Sequence, residues 1–390
     1  MKVAIVYDRV NKWGGAERVL LALHKIFPKA PLYTAVYDSQ SALWAKVFRV
    51  RPSFLQKIPI ARNHHEHFAF LMPLVFESFD FSKYDLVISV TSEAAKGIIT
   101  PPNTKHICIC LTPTRYLWSG YTEYFKNSLF KFVTTPIIKY LRNWDFSAAQ
   151  KPDQMIAISE TVQKRIKKYY KRESIVIYPP SELVVYPKGT SYTVAAHSSQ
   201  FTDENKTQRV DSSREQKTVN REQNNILVVS RLSKLTAYKR VDLAIKAANK
   251  LHINLVIVGS GRDEEYYKTM AGNTVTFVGN VSDTELQEYY THANALIFPA
   301  DEDFGLVMVE AQSYGTPVIA YRKGGATEIV QEGITGVFFD SQSVSSLMNV
   351  LKSFDKSVYN KNDCIANSKR FTFNQFERDI QKVVKIALQS

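Results

Sequence analysis

The sequence has few cysteines and no long apolar run. Only Cys108, Cys110 and Cys364 occur among 390 residues, too few for a disulfide framework or a cysteine-based metal site. No apolar stretch reaches the roughly 18 residues of a membrane-spanning helix, and the opening residues MKVAIVYD predict a buried strand rather than a signal peptide. With 45% hydrophobic and 22% charged residues, disorder and coiled coil are also excluded. We expect a globular protein of a reducing compartment, the cytoplasm.

Positive charge is concentrated in the first half of the chain. Residues 1–187 contain 26 Lys and Arg against 14 Asp and Glu, whereas residues 188–390 contain 24 against 23. A basic face favours anionic lipid head groups, phosphorylated ligands or nucleic acid, although no motif combining aromatic and basic residues supports nucleic acid. A solvated helix face is the alternative explanation for the densest cluster, which is Lys164, Arg165, Lys167, Lys168, Lys171 and Arg172.

Strand-like and helix-like segments alternate twice along the chain. In the first half, strands are predicted at 1–8, 84–89, 105–111, 153–158 and 175–178, with helices at 16–27 and 160–170. In the second half, strands are predicted at 225–230, 254–259, 275–278, 295–299, 317–321 and 336–339, with helices at 242–251, 263–271, 284–293, 306–314 and 325–331. This alternation predicts an α/β protein with two doubly wound, Rossmann-like domains that face a cleft.

The domain boundaries follow from composition. Residues 188–225 are rich in Ser, Thr, Gln and Asn and nearly free of large apolar side chains, which predicts a disordered linker or surface insertion. We therefore expect one Rossmann-like domain over 1–187 and a second over 226–372. The remaining residues, 373–390, predict an amphipathic helix that returns to the first domain.

Charged residues follow two predicted strands of the second half. Arg231 comes directly after the strand NILVVS, and Lys239 follows at the entrance of the next helix, where cations suit a diphosphate. Glu302 lies in the loop after the strand ALIFP, and Glu310 lies on the following helix. Gly305 allows a close approach of ligand to backbone N–H groups. Dipole complementation explains Asp301 and Asp303 equally well, but not Glu310.

These segments resemble a known family. The run FPADEDFGLVMVEAQSYGTPVIAYRKGGATEIV is similar to the signature of the retaining glycosyltransferases of family 4, which have the GT-B fold. Glu302 and Glu310 match the E-x7-E motif of that family, and Arg231 and Lys239 match its diphosphate-binding cations. Trp13-Gly14-Gly15-Ala16-Glu17 matches its glycine-rich loop. Two first-half segments, residues 112–118 and 177–180, look like those of mannosyltransferases that use GDP-mannose.

The resemblance implies a role for each matching residue. Arg231, Lys239 and Glu302 would carry catalysis, with the two cations neutralising charge on the leaving diphosphate. Glu302 and the backbone of Phe304, Gly305 and Leu306 would hold the donor sugar and a phosphate oxygen. The remaining implied contacts are those of Glu310 with the ribose and of Gly14 and Gly15 with the donor. The same resemblance implies that 226–372 is the nucleotide-sugar-binding domain and 1–187 the acceptor-side domain. Glu93, Arg115 and Tyr116 are our candidates for the acceptor or sugar side. Tyr116 and Trp118 fit a core role equally well.

Two positions and one spacing depart from the family pattern. Leu111 and Glu93 occupy positions where similar sequences carry histidine, so the polar groups expected near the sugar are changed. The spacing from Arg231 to Lys239 is about two residues longer than in close relatives, which leaves Lys234 as an alternative cation. The histidines His64, His65 and His67 lack acidic or cysteine partners at ligand spacing, so we predict no metal site.

The sequence supports two hypotheses about function. The first is a retaining, metal-independent hexosyltransferase without a cofactor. It would move mannose from GDP-mannose onto a glycan or lipid-diphosphate-linked acceptor in surface polysaccharide synthesis, with peripheral contact to an anionic membrane. The second is a nucleotide-sugar-binding GT-B protein with impaired catalysis. A dinucleotide-dependent oxidoreductase is disfavoured because Gly259-Ser260-Gly261 lacks the third glycine of G-x-G-x-x-G.

Overall fold

The described chain forms two compact units. The computed structural model describes residues 1–62, 65–124, 128–181, 225–233 and 238–389. The first unit contains the described parts of 1–184, 303–306 and 370–390, and the second contains those of 185–302 and 307–369. The predicted linker 188–225 lies outside the described residues except for its last residue, as do Lys234 and His64.

The first unit is built on a parallel sheet of seven strands in the order β3-β2-β1-β4-β5-β6-β7. The strands are β1 (Val3–Tyr7), β2 (Leu32–Thr34), β3 (Val50–Pro52), β4 (Leu86–Thr91), β5 (Lys105–Cys110), β6 (Gln154–Ala157) and β7 (Ile175–Val176). Helices α1 (Gly15–Ile26), α2 (Met72–Glu77), α3 (Tyr121–Tyr124), α4 (Ser128–Ala148) and α5 (Glu160–Tyr170) accompany it. Every residue of β1 and β4 is buried, as expected for a parallel sheet covered on both faces.

The second unit is built on a parallel sheet of six strands in the order β10-β9-β8-β11-β12-β13. The strands are β8 (Ile226–Val229), β9 (Leu255–Val258), β10 (Val275–Gly279), β11 (Ala295–Phe298), β12 (Val318–Tyr321) and β13 (Gly336–Phe339). The helices are α6 (Val241–Leu251), α7 (Glu264–Lys268), α8 (Asp283–His292), α9 (Leu306–Ser313), α10 (Ala326–Ile329), α11 (Val344–Ser353) and α12 (Lys361–Ser368).

Each predicted strand is present, and several elements were not predicted. The last helix, α13 (Phe373–Gln389), belongs to the first unit and buries Phe376, Ile380 and Val383. The short strands β2 and β3 and the helices α2, α3, α4, α11 and α12 have no counterpart in the prediction. Residues 43–71 also contain short 3-10 helices, at Leu43–Val47, Phe54–Lys57, Pro59–Arg62 and His65–Leu71. Within the described residues, no helix is both long and apolar enough to cross a bilayer.

The centre of the first sheet contains a buried histidine. His106 on β5 is 1% exposed, and its Nε2 lies 2.8 Å from Ser89 Oγ on β4. Burial, followed by the positive charges of Arg172 and Lys151, lowers the pKa of His106 to about 3. Cys108 and Cys110 on the same strand are free and buried.

We predict that His106 makes the protein acid-sensitive. Below the unfolded pKa of about 6.5 the unfolded chain takes up a proton that the folded imidazole refuses, so stability present above that pH is lost as the pH falls toward 3. The loss is about 1.4 kcal/mol per pH unit. His106→Gln should remove this slope in urea unfolding measured between pH 6 and 4. Ser89→Ala, which keeps the imidazole, should retain it, and an unchanged slope in His106→Gln would contradict the assignment.

Candidate functional site

The loop after β8 places Arg231 at the carboxyl edge of the second sheet. Leu232 N–H donates to Ser260 O at 3.0 Å, which ties this loop to the turn after β9. A Cβ on Gly261 would lie 2.1 Å from Leu232 O, so only glycine permits this close approach. The Gly259-Ser260-Gly261 sequence therefore supports the Arg231 loop. Arg231 is half-buried and makes no ion pair with another described residue.

Lys239 and Glu302, which were predicted separately, form an ion pair with each other. Lys239 Nζ donates to Glu302 Oε1, and both side chains are about four-fifths buried, with 19% and 18% exposed. Gly324 holds the Glu302 backbone: its φ is 64°, and a Cβ there would lie 2.2 Å from Glu302 O. The next residue, Gly325, donates its N–H to the same oxygen at 2.9 Å.

These residues share one edge of one sheet. Strands β8 and β11 pair directly, so the loops that carry Arg231 and Glu302 leave the sheet side by side. Lys323, after the neighbouring strand β12, lies 3.0 Å from Asp301 in an ion pair. Three cations against two carboxylates give this edge a net charge of +1, which suits an anionic ligand such as a diphosphate.

Glu310 lies on α9 and is buried. It is 2% exposed, and Tyr290 OH donates to its Oε2 at 2.7 Å. The ring of Tyr290 in turn stacks on Tyr314, with centroids 5.9 Å apart and planes 7° apart. No sequence pattern indicated this tyrosine pair. The ribose-binding role of Glu310 stays a prediction.

In the first unit, the Asp8 carboxylate organises the loop that carries Glu93. It accepts six hydrogen bonds, from Thr91 Oγ1, from Ser92 N and Oγ, and from the N–H groups of Glu93, Ala94 and Ala95. Burial, and then the negative charge of Glu93, raises the pKa of Asp8. Glu93 itself forms an ion pair with Arg9. The Arg9 guanidinium therefore takes up part of the hydrogen-bonding capacity of the Glu93 carboxylate.

The glycine-rich loop leads directly into α1. Gly14 is the N-cap, Gly15 is the first helical residue, and the carboxylate of Glu17 lies beside them, since a Cβ on Gly14 would be 3.1 Å from Glu17 Oε2. Tyr7 OH donates to Glu17 Oε1 at 2.9 Å, and burial raises the pKa of Glu17. A donor-binding role for Gly14 and Gly15 stays a prediction.

Residues 303–306, which belong to the first unit, are held by two arginines. Arg115 and Arg165 both form ion pairs with the carboxylate of Asp303, and Ser159 Oγ donates to Asp303 O at 2.6 Å. Asp303 is thus bound by cations rather than left to complement a helix dipole. Arg165 is a member of the basic cluster that begins at Lys164. Because it is paired with Asp303, a purely solvated helix face does not account for this residue.

Aromatic residues complete this segment. The ring of Phe304 stacks on Tyr178 at 5.7 Å and meets Phe371 edge-on at 5.5 Å. Tyr116 packs against a small cluster formed by Leu117, Ile138 and Leu141. These contacts favour the core interpretation for the Tyr116 ring. Gly305 and Leu306 follow directly, and their proposed backbone contacts with a donor stay a prediction.

Asp145 on α4 is the centre of a second buried network. Its Oδ1 accepts from Lys96 Nζ at 2.5 Å and from Thr114 Oγ1 at 2.8 Å, and its Oδ2 accepts from Trp118 Nε1 at 2.7 Å and Tyr170 OH at 2.8 Å. Lys96 and Asp145 are each 1% exposed. Burial opposes the charge of Lys96, yet Asp145 raises its pKa above the ordinary value. The network joins the loop after β4 to the loop after β5.

Leu111 is the first residue after β5, and its side chain is apolar. It is 9% exposed, and its N–H donates to Thr91 O at 2.8 Å. It offers no side-chain hydrogen bond to a sugar, in agreement with the departure noted in the sequence. In the part of the chain that the structure describes, no group of three or more His, Cys, Asp or Glu side chains could hold a metal ion.

Comparison with known proteins places these observations in a family context. Residues 210–371 match the family described as "Glycosyl transferases group 1". Over 163 residues the chain is 31% identical to "Uncharacterized 41.2 kDa protein in cps region" of Klebsiella pneumoniae, which covers 41% of this chain and 44% of that protein. Over 114 residues it is 30% identical to "GDP-mannose-dependent alpha-mannosyltransferase" of Corynebacterium glutamicum, covering 29% and 27%. The chain therefore matches less than half the length of these curated relatives.

A solved structure extends the similarity to the whole fold. The structure of HepE of Anabaena in complex with UDP superposes with a TM-score of 0.68 at 19% identity, covering 99% of this chain and all of that one. At this identity the match shows the fold alone. It confirms the predicted fold class, with two α/β units each built on a parallel sheet.

We predict that the first unit loses much of its stability when one partner of the buried Lys96–Asp145 pair is removed. Asp145→Asn leaves a buried ammonium without its carboxylate and should lower the free energy of unfolding by about 3–5 kcal/mol. Tryptophan fluorescence in urea reports on this unit, because Trp13, Trp44, Trp118 and Trp144 all belong to it.

A matched pair of variants tests the explanation. Glu173→Gln, which breaks an exposed ion pair with Lys167, should cost less than about 1 kcal/mol. The double variant Lys96→Met/Asp145→Asn should be more stable than Asp145→Asn alone, because the uncompensated charge is gone. Equal losses from Asp145→Asn and Glu173→Gln would contradict the predicted penalty for an uncompensated buried charge.

Proposed function

We propose that this protein is a retaining glycosyltransferase of family 4 that transfers mannose from GDP-mannose to a glycan or lipid-diphosphate-linked acceptor, without a metal ion or other cofactor. The observation that carries the proposal is the Lys239–Glu302 pair beside Arg231 at one edge of the second sheet. The match of residues 210–371 to the group 1 glycosyltransferases supports the reaction class. The mannosyltransferase of Corynebacterium glutamicum supports the donor, and the relative from a cps region supports a polysaccharide acceptor.

In this proposal the second unit stabilises the leaving group. The bond between the anomeric carbon and the β-phosphate oxygen breaks, and negative charge grows on the nucleoside diphosphate. Arg231 and Lys239 neutralise that charge, and water-poor surroundings strengthen the effect. The acceptor hydroxyl attacks the same face of the sugar through an oxocarbenium-like transition state, and its proton passes to the departing phosphate oxygen. No protein nucleophile is required.

Glu302 has a second task in the proposed complex. In the structure its carboxylate is engaged by Lys239. A bound diphosphate competes for the same ammonium, and the released carboxylate then accepts hydrogen bonds from the sugar hydroxyls. Replacing Arg231 and replacing Glu302 should therefore have different effects on the binding of GDP and of GDP-mannose.

A second candidate function is nucleotide-sugar binding without efficient turnover. It is favoured by two observations in the first unit: Leu111 offers no polar group, and Glu93 is paired with Arg9. A protein of this kind would bind the donor through the second unit and hydrolyse or transfer it very slowly. Binding and turnover must therefore be measured together.

We predict distinct binding defects in calorimetric titrations with GDP and GDP-mannose. Arg231→Ala should weaken both ligands by about 10- to 100-fold, because a charge-assisted hydrogen bond to phosphate is lost. Glu302→Ala should weaken GDP-mannose by a similar factor but leave GDP binding equal or tighter, because Lys239 becomes available. Glu265→Ala, an exposed residue of α7, serves as the control and should change neither.

A donor-hydrolysis assay run beside the titration separates the two functions. Slow hydrolysis of GDP-mannose that disappears in both Arg231→Ala and Glu302→Ala supports the transferase. Tight binding with no hydrolysis and no transfer to lipid extracts supports the binding protein. If neither GDP nor UDP, and neither GDP-mannose nor UDP-glucose, binds, both proposals are wrong.

We also propose that the first unit makes peripheral contact with an anionic membrane. Residues 46–76 contain five Lys and Arg against one Glu, a net charge of +4. The helices of residues 43–74 expose apolar side chains, of which Ile60 is 62% exposed, Leu74 59% and Phe70 49%. Apolar side chains among cations match the boundary between anionic head groups and acyl chains.

We predict that this surface governs vesicle binding. In flotation assays the protein should bind phosphatidylglycerol vesicles in preference to phosphatidylcholine vesicles, and high salt should weaken the binding. Phe70→Ser/Leu74→Ser should reduce the bound fraction about tenfold. Val358→Ser, which removes a 65% exposed side chain of the second unit, should have no effect. Equal binding by all three proteins would refute a role for this surface.

A further inference from the structure

A cavity of about 850 Å³ opens at the amino edge of the second sheet. Three residues that line it lie just before strands of this sheet: Asn254 and Asn294 directly precede β9 and β11, and Gly315 lies three residues before the start of β12. Arg231 and Glu302 follow the opposite, carboxyl ends of β8 and β11. The cavity is therefore separate from the candidate donor site, and its volume falls within the range of ligand pockets, which is about 300–1,000 Å³.

Aromatic rings form part of its wall. Phe354 and Tyr359 are stacked on each other, with ring centroids 5.3 Å apart and planes 15° apart. Tyr314 adds a third ring to the lining. Flat aromatic faces beside side-chain amides and hydroxyls, here Asn294 and Thr291, present both apolar and hydrogen-bonding surface. This combination suits the C–H faces and hydroxyl groups of a sugar ring.

Two lysines supply the charge. Lys356 Nζ donates to Ala293 O at 2.9 Å, and burial together with the positive charge of Lys361 lowers the pKa of Lys356. Lys361 forms no ion pair with any described residue. Asp355 also lines the cavity, where its carboxylate accepts from Ser357 N–H at 2.9 Å. The local charge of these three groups is +1, and an anion near both ammonium groups would relieve their repulsion.

We propose that this cavity is a binding site for an anionic saccharide, a sugar that carries a phosphate or a carboxylate. The lysine pair selects the charge, and the aromatic wall with its amides and hydroxyls selects the sugar ring. An inorganic anion is too small to contact both parts of the lining. The proposal does not depend on transferase activity, because neither the lining nor the test below involves the donor reaction.

Calorimetric titration of the full chain with four probes tests the site. Glucose 1-phosphate represents a sugar phosphate, and a hyaluronan tetrasaccharide represents an acidic oligosaccharide. Maltotetraose is the neutral control, and inorganic phosphate is the control for charge alone. We expect at least one anionic saccharide to bind, with maltotetraose and phosphate at least about tenfold weaker.

Variants locate the binding. Lys361→Gln should weaken the anionic saccharide about tenfold. Lys352→Gln, on α11 but outside the lining, is the matched control and should change nothing. Arg231→Ala should also change nothing, which distinguishes this site from the candidate donor site. The melting temperature of each variant establishes that it is folded.

The outcomes decide between specific alternatives. Binding that is lost in Lys361→Gln and retained in Arg231→Ala supports the proposal, and the better of the two anionic probes identifies the ligand source. Binding lost in Arg231→Ala but retained in Lys361→Gln assigns the ligand to the donor site and overturns the proposal. Equal affinity for maltotetraose or for phosphate overturns it as well, as does the absence of binding by both anionic saccharides.

Discussion

The Asp145 carboxylate accepts hydrogen bonds from side chains on three other parts of the first unit. Lys96 follows β4, Thr114 and Trp118 follow β5, and Tyr170 ends α5. A buried carboxylate is tolerated only when its charge is compensated and its lone pairs are used, and both conditions are met here. Because Glu93 and Arg115 lie on the loops that this network joins, their positions depend on a residue that no ligand needs to touch.

In the second unit, backbone packing rather than a buried charge fixes the positions of the loops. Leu232 and Glu302 each have a carbonyl oxygen that approaches a glycine so closely that a Cβ would clash. The loops that carry Arg231 and Glu302 are thus fixed by close packing at two glycines. Their side chains remain available for an ionic contact, which in the structure is the one from Lys239 to Glu302. A closely packed backbone that carries charged side chains suits the binding of an anion.

Sequence periodicity predicted the central strands of both sheets because those strands are continuous apolar runs. It missed β2 and β3, which are three residues each and too short to show a period. Helix α4 contains Pro136, which ordinarily ends a helix, and α11 begins in a serine-rich stretch, so neither had a clear signal. Lys239 and Glu302 were each predicted as site residues from motif resemblance. Asp8, Asp145 and Tyr290 were not, because their importance comes from contacts distant in sequence, up to 87 residues for Asp8 and Ala95.

The stack of Tyr290 on Tyr314 connects the cavity of the second unit to the Glu310 carboxylate. Tyr314 lines the cavity at the amino edge, and Tyr290 donates a hydrogen bond to Glu310 on the helix that follows β11. A ligand whose binding tilts Tyr314 acts on the orientation of Glu310 through only two contacts. Thermodynamic linkage then requires reciprocity: whatever factor such a ligand applies to the affinity of a group held by Glu310, that group applies to the ligand. Two parallel rings would in this way couple the occupancy of the cavity to whatever group Glu310 binds.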